Sequence, residues 1–140
     1  MDNFIYETPT KVYFGKDEEQ KIGKIIREFH PKKVLIHYGG GSVRKTGLLD
    51  RVEGYLNAEG IPFVELGGVV PNPELPLVRE GIALGRREGV DFVLAVGGGS
   101  VMDSSKAIAN GIGALLILTI LVFNFVLLLP IKLLGRKTKA

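Results

Sequence analysis

No cysteine occurs anywhere in the 140 residues. A disulfide scaffold, a cysteine zinc site and a thiol nucleophile are therefore excluded. Histidine is nearly absent: His30 and His37 are the only two, too few to build a multi-histidine metal centre. There is no tryptophan, and no charge falls between Ile112 and Ile131. No GxxxxGKS or GxxxxGKT stretch occurs, so the usual phosphate-binding P-loop is missing. The opening, Met1–Phe14, has neither a basic start nor an apolar core of signal-peptide length, which reads as a cytoplasmic start.

What is present is apolar residues at 46%, charged residues at 24% and glycine at 19 positions, many of them in short runs. That balance excludes a disordered polar chain and fits one globular domain. The formal charge of +3 misleads, because it is unevenly spread. Residues 1–111 carry 14 basic and 15 acidic side chains, whereas the last 29 residues carry Lys132, Arg136, Lys137 and Lys139 and no acid. The basic excess belongs to the tail, so no nucleic-acid partner is expected.

Local patterning predicts alternating elements. Val12–Phe14 is β-prone, and Asp17 is placed to cap a helix over Glu18–His30, whose Ile22, Ile25, Ile26 and Phe29 share one face before Pro31. Val34–Tyr38 and Phe92–Val96 are nearly continuous apolar runs, as in strands buried on both faces. A helix with Leu48, Leu49, Val52, Tyr55 and Leu56 apolar ends at Gly60, and Ile61–Leu66 reads as a strand. Pro71-Asn72-Pro73 is a rigid loop. Helices follow over Glu74–Glu88 and Val101–Asn110. Strands joined through helices are most simply parallel, so the expected fold class is α/β, a partial Rossmann-like parallel sheet with flanking helices.

Two turns of identical sequence, Gly39-Gly40-Gly41-Ser42 and Gly97-Gly98-Gly99-Ser100, each follow a buried strand and precede a helix. Ligands of open α/β sheets bind at those carboxyl ends. Glycines admit positive φ and let a ligand approach without meeting a Cβ. A following helix aims free N–H groups at the same place, which suits a phosphate. Ser100 would cap that helix or donate to a phosphate, and Asp103 would sit in its first turn or bond a ligand amide or ribose. The plainer reading is a tight turn in each case. Neither is GxGxxG, since Arg44 and Met102 stand where its last glycine belongs.

Residues 97–109 resemble the GGGSxxDxAKAxA signature of the iron-containing alcohol dehydrogenase family, with Ser105 where that family usually has alanine. Phe4, Pro9-Thr10-Lys11, Phe14-Gly15, Tyr38 with its GGGS turn, and Pro71-Asn72-Pro73 resemble it too, the Tyr38 turn being similar to the butanol dehydrogenase branch. The resemblance covers about residues 1–111. It implies an NAD(P)-dependent oxidoreductase interconverting primary alcohols and aldehydes with iron or zinc, and a homodimer for the intact family. Gly98, Gly99 and Ser100 would hold the pyrophosphate, with Asp103 near the cofactor. Gly39, Gly40 and Ser42 would lie by the adenosine ribose, and Asn72 would line the same cleft. Gly41 and Gly97 complete the two turns. Arg44 and Lys45 follow the first turn and no acid appears before Asp50, which favours NADP(H) over NAD(H). The family's metal ligands, one aspartate and three histidines of a later helical domain, have no counterpart here, so no catalytic or metal residue is named. His30 reads as a solvated helix end and His37 as a satisfied core or cleft histidine.

The organisation expected is thus a truncated dinucleotide-binding domain over 1–111, a hydrophobic segment over 112–131 and a basic tail over 132–140. In 112–131, 16 of 20 residues are apolar. As a helix it would span ~30 Å, which makes it a candidate transmembrane helix. Its basic flank prefers the cytoplasmic side, which would leave residues 1–111 on the other side. A frame-shifted tail explains the same composition. Three readings follow: a cofactor-binding part inactive alone, a membrane-attached nucleotide-binding module, or a non-functional truncation product.

Overall fold

Apart from His37, strand β1 (Val34–Gly39) and strand β3 (Phe92–Val96) are apolar on both sides, and both sides are covered. Val34, Ile36 and Tyr38, with Phe92, Leu94 and Val96, point to one face of the sheet. There they pack on α1 (Ile22–Arg27), α2 (Ser42–Lys45) and α3 (Leu48–Ala58) through Ile22, Ile26, Val43, Leu49, Val52 and Leu56. Leu35, Val93 and Ala95 point to the other face, against α4 (Leu75–Glu88) and α5 (Gly99–Ile112) through Leu77, Val78, Val101, Ile108 and Ala109. The period-two alternation of each strand therefore feeds two separate cores. The computed structural model describes residues 16–70, 75–122 and 125–131.

The remaining strands are β2 (Phe63–Val69), β4 (Leu115–Val122) and β5 (Phe125–Ile131), in the order β2-β1-β3-β4-β5. The first four run parallel, and β5 returns antiparallel to β4. The chain leaves β1 through α2 and α3 to reach β2 on one flank. It leaves β3 through α5 to reach β4 on the other. The order reverses between β1 and β3, and that is where ligands of open α/β sheets bind.

The parallel sheet with flanking helices is as expected, but the hydrophobic helix over 112–131 is not formed. Helix α5 runs through Gly111 to Ile112, and Gly113 at φ 69° closes it in the left-handed conformation. The apolar run then pairs in register with β3, Leu115 beside Phe92 and Thr119 beside Val96, and β5 folds back on it. A uniform apolar run carries no period that separates strand from helix, and the open side of β3 decides the outcome. Pro130 is tolerated because β5 is an edge strand. The transmembrane span goes with the helix: among the described residues, no helix is long and apolar enough to cross a membrane. The membrane-attached reading loses its basis.

Smaller differences have local causes. The helix expected over Glu18–His30 is a 3-10 turn (Glu18–Lys21) followed by α1, and Asp17, itself left-handed, makes no side-chain cap. Strand β2 starts after Pro62, which cannot donate to the ladder, and extends to Val69. Val12–Phe14 and Pro71–Pro73 lie outside the described residues.

Helix α1 approaches α3 so closely that a Cβ at Gly23 would run into the carbonyl oxygen of Tyr55. That oxygen is backbone and cannot swing away. Gly23→Ala is therefore expected to destabilise the fold by ~1–3 kcal/mol, the usual range for overpacking. Urea unfolding measures it, and an unchanged midpoint would mean that the two helices are not held this tightly.

Candidate functional site

Tyr38 of β1 pairs beside Val96 of β3, so the two glycine turns leave the sheet side by side. One side chain packs against both. A Cβ on Gly39 would lie 3.5 Å from Cγ2 of Val101, and a Cβ on Gly97 would lie 2.7 Å from the same atom. Gly97 is also at φ 151°, so glycine is required there for backbone and for space. Gly40, Gly98 and Gly99 are different. A Cβ on any of them would meet nothing within 4 Å. Their missing side chains leave open space.

The second turn leads into the longer helix. Gly98 is the N-cap of α5 in extended conformation, and its carbonyl accepts from the Met102 N–H at 3.0 Å. The N–H groups of Gly99, Ser100 and Val101 precede that first intrahelical bond. Among the described residues no side chain caps them, and they open a 14-residue helix. Ser100, half-buried, is thus the second helical residue and not the cap. Asp103 falls in the second turn, exposed, because the helix begins at Gly99, two residues earlier than expected. After the first turn, α2 is only four residues long and Gly41 is its N-cap. That turn offers open backbone and the exposed Ser42 hydroxyl, with little helix dipole. Asn72 lies outside the described residues.

Beneath the turns, His37 is fully buried on the α5 side. Its Nδ1 bonds the Leu66 carbonyl at 2.7 Å, and its Nε2 lies 2.8 Å from the Ser104 hydroxyl. A carbonyl only accepts, so Nδ1 carries the proton and Nε2 accepts from Ser104. Burial pushes the imidazole pKa down, opposed by the bond to Leu66. The expectation of a satisfied core histidine describes these contacts, but its bond to α5 had no signal in the sequence. Ser105 is also fully buried, and its hydroxyl has no hydrogen-bond partner among the described residues.

Beside the first turn, Arg44 donates to the Tyr38 hydroxyl, and its guanidinium lies 5.1 Å from that ring's centroid. It also stands 3.9 Å from the Glu65 carboxylate. Glu53 faces the same group. Its pKa is raised, first by burial and then by the charges of Glu65 and Asp50, while Arg44 opposes the rise. The cation read from the sequence as unopposed therefore has an acidic neighbour supplied by β2.

A profile described as iron-containing alcohol dehydrogenase matches residues 9–126. The chain belongs to the iron-containing alcohol dehydrogenase family. The match passes Gly111 and takes in β4, beyond the extent expected from the motifs. The chain is 50% identical over 112 residues to a probable NADH-dependent butanol dehydrogenase 2 of Bacillus subtilis, covering 80% of this chain and 28% of that protein. It is 46% identical over 109 residues to the NADPH-dependent aldehyde reductase YqhD of Escherichia coli, covering 78% and 27%. The crystal structure of NADH-dependent butanol dehydrogenase A from Thermotoga maritima superposes with a TM-score of 0.75 at 48% identity, over 79% of this chain and 28% of that one. The chain thus spans little more than a quarter of the relatives' length.

Among the described residues, no metal centre fits: there is no group of three or more histidine, aspartate or glutamate side chains able to hold an ion. Both ring nitrogens of His37 are engaged in the core, and His30 is exposed beyond the end of α1 at φ 52°.

The depressed His37 pKa gives a signed prediction. Folded His37 takes a proton less readily than the unfolded residue, whose value is near 6.5. Below that pH the unfolded state binds more protons, so stability is full above it and falls as pH drops towards the folded pKa. Chemical unfolding between pH 7.5 and 5 is expected to show this loss, and His37→Gln is expected to flatten it. An identical pH slope in the variant would contradict the assignment.

Proposed function

We propose that this chain is the dinucleotide-binding part of an NAD(P)-dependent alcohol dehydrogenase that interconverts a primary alcohol and its aldehyde. One observation carries the reading: two GGGS turns lie together at the carboxyl ends of adjacent parallel strands, where the sheet order reverses. The open space at Gly40, Gly98 and Gly99 fits a cofactor backbone drawn close to the chain. Gly98, Gly99 and Ser100 would hold the pyrophosphate with the free N–H groups of α5, and Gly97 shapes the turn. Gly39, Gly40, Gly41 and Ser42 would take the adenosine ribose, with Asn72 and Asp103 at the cleft. Once bound, the nicotinamide supplies hydride transfer. The residues of the two turns would bind and orient it, and none of them forms a metal site that would polarise the alcohol or aldehyde oxygen.

The cofactor proposed is NADP(H) ahead of NAD(H). Arg44 and Lys45 follow the ribose turn, and a cation there suits a 2′-phosphate. Glu65 weakens that preference by sharing Arg44, at 3.9 Å.

Fluorescence titration of the 140-residue chain with NADPH and with NADH tests both statements. Saturable binding, tighter for NADPH, is expected, together with no turnover of butanal. Gly99→Ala separates ligand space from folding. Alanine in a helix is favoured over glycine by roughly 0.5–1 kcal/mol, so stability should hold or rise. NADPH affinity should fall by about tenfold or more, a cost of ~1.4 kcal/mol. Unchanged affinity in that variant would remove the pyrophosphate from this turn.

A further inference from the structure

The bond between His37 and Ser104 joins the two halves of the candidate site from below. His37 lies two residues before Gly39, where β1 gives way to the first turn. Ser104 lies four residues after Ser100, one helical turn further along the same face of α5. The imidazole also holds a third element, through the Leu66 carbonyl of β2. At that point β2 carries one residue more than β1: His37 pairs with Leu66, but Gly39 pairs with Val69. Gly68, at φ 92°, takes up the extra residue. Packing alone does not call for a histidine here. Its neighbours on this face, Leu35, Val93 and Ala95, are all apolar, and an apolar side chain would fill the volume. A side chain that donates to the Leu66 carbonyl and also bonds the Ser104 hydroxyl adds a polar link from β2 and β1 to α5 that an apolar residue would not make. Val101, Ile108 and Ala109 pack α5 on the sheet but give no directional bond; among the described residues, His37–Ser104 is the one side-chain hydrogen bond between β1 and α5.

We propose that His37, through Ser104, is a positioning residue for the dinucleotide: it holds the first turns of α5 in register with the β1 turn, so that both grip one ligand. The proposal rests on reading the two turns as a dinucleotide site.

The test uses the 140-residue chain with Ser104→Ala, His37→Leu, both together, and His37→Gln, which keeps one donor and one acceptor. Hydrogen exchange at the amides of Met102, Asp103 and Ser104 is followed without ligand, and NADPH affinity is measured beside it. Ser104→Ala and His37→Leu are each expected to weaken NADPH about fivefold to tenfold and to speed exchange at those amides, with α3 unchanged. The double variant should be no worse than the worse single one, because both remove the same bond. His37→Gln should recover part of the affinity. Ser104→Ala deletes a single oxygen, so it remains informative if His37→Leu fails to fold. Wild-type affinity in the variants, or losses that simply add, would overturn the positioning role while leaving the site intact. Failure of the wild-type chain to bind NADPH would overturn the dinucleotide reading and the positioning role together.

Discussion

The candidate site depends on the parallel pairing of β1 with β3. Both strands are covered on both faces, so their apolar residues find a partner only in the middle of a sheet. Once Tyr38 lies beside Val96, the glycine turns that end the two strands are neighbours. Diverging connections then leave the space above them uncovered by either crossover. The turns themselves divide the work. Gly97 is demanded by its own backbone and by Val101, whereas Gly40, Gly98 and Gly99 are demanded by nothing in the fold. The space beside them is open to a ligand.

Much of this was legible beforehand, for reasons that are local. The bounds of β3 and nearly those of β1 followed from apolar runs flanked by glycine or proline. The helices followed from their i, i+3, i+4 spacing, and the turns from sequence identity. What was not legible depends on distant partners. Leu115–Ile131 has no period, and its strands exist because β3 presents an open ladder. His37 finds Leu66 29 residues on and Ser104 67 residues on, and no local pattern announces either. The start of α5 lies at Gly99, two residues before the Val101 start expected, because glycine is a poor helix former and gives no helical signal.

Electrostatics at the first turn show the same dependence. In the sequence, Arg44 and Lys45 stand without an acid until Asp50. In the fold, Ile36 pairs with Glu65, which brings a carboxylate to Arg44 from the neighbouring strand. A 2′-phosphate beside this turn would have to compete with that carboxylate for Arg44.

The claim that both glycine turns contact one ligand is tested most directly by mapping NADPH onto the isotopically labelled chain by NMR. Amide shifts are expected to change together, with a single affinity, at Gly39–Ser42 and at Gly97–Asp103. Changes at only one turn, or at neither, would contradict the account.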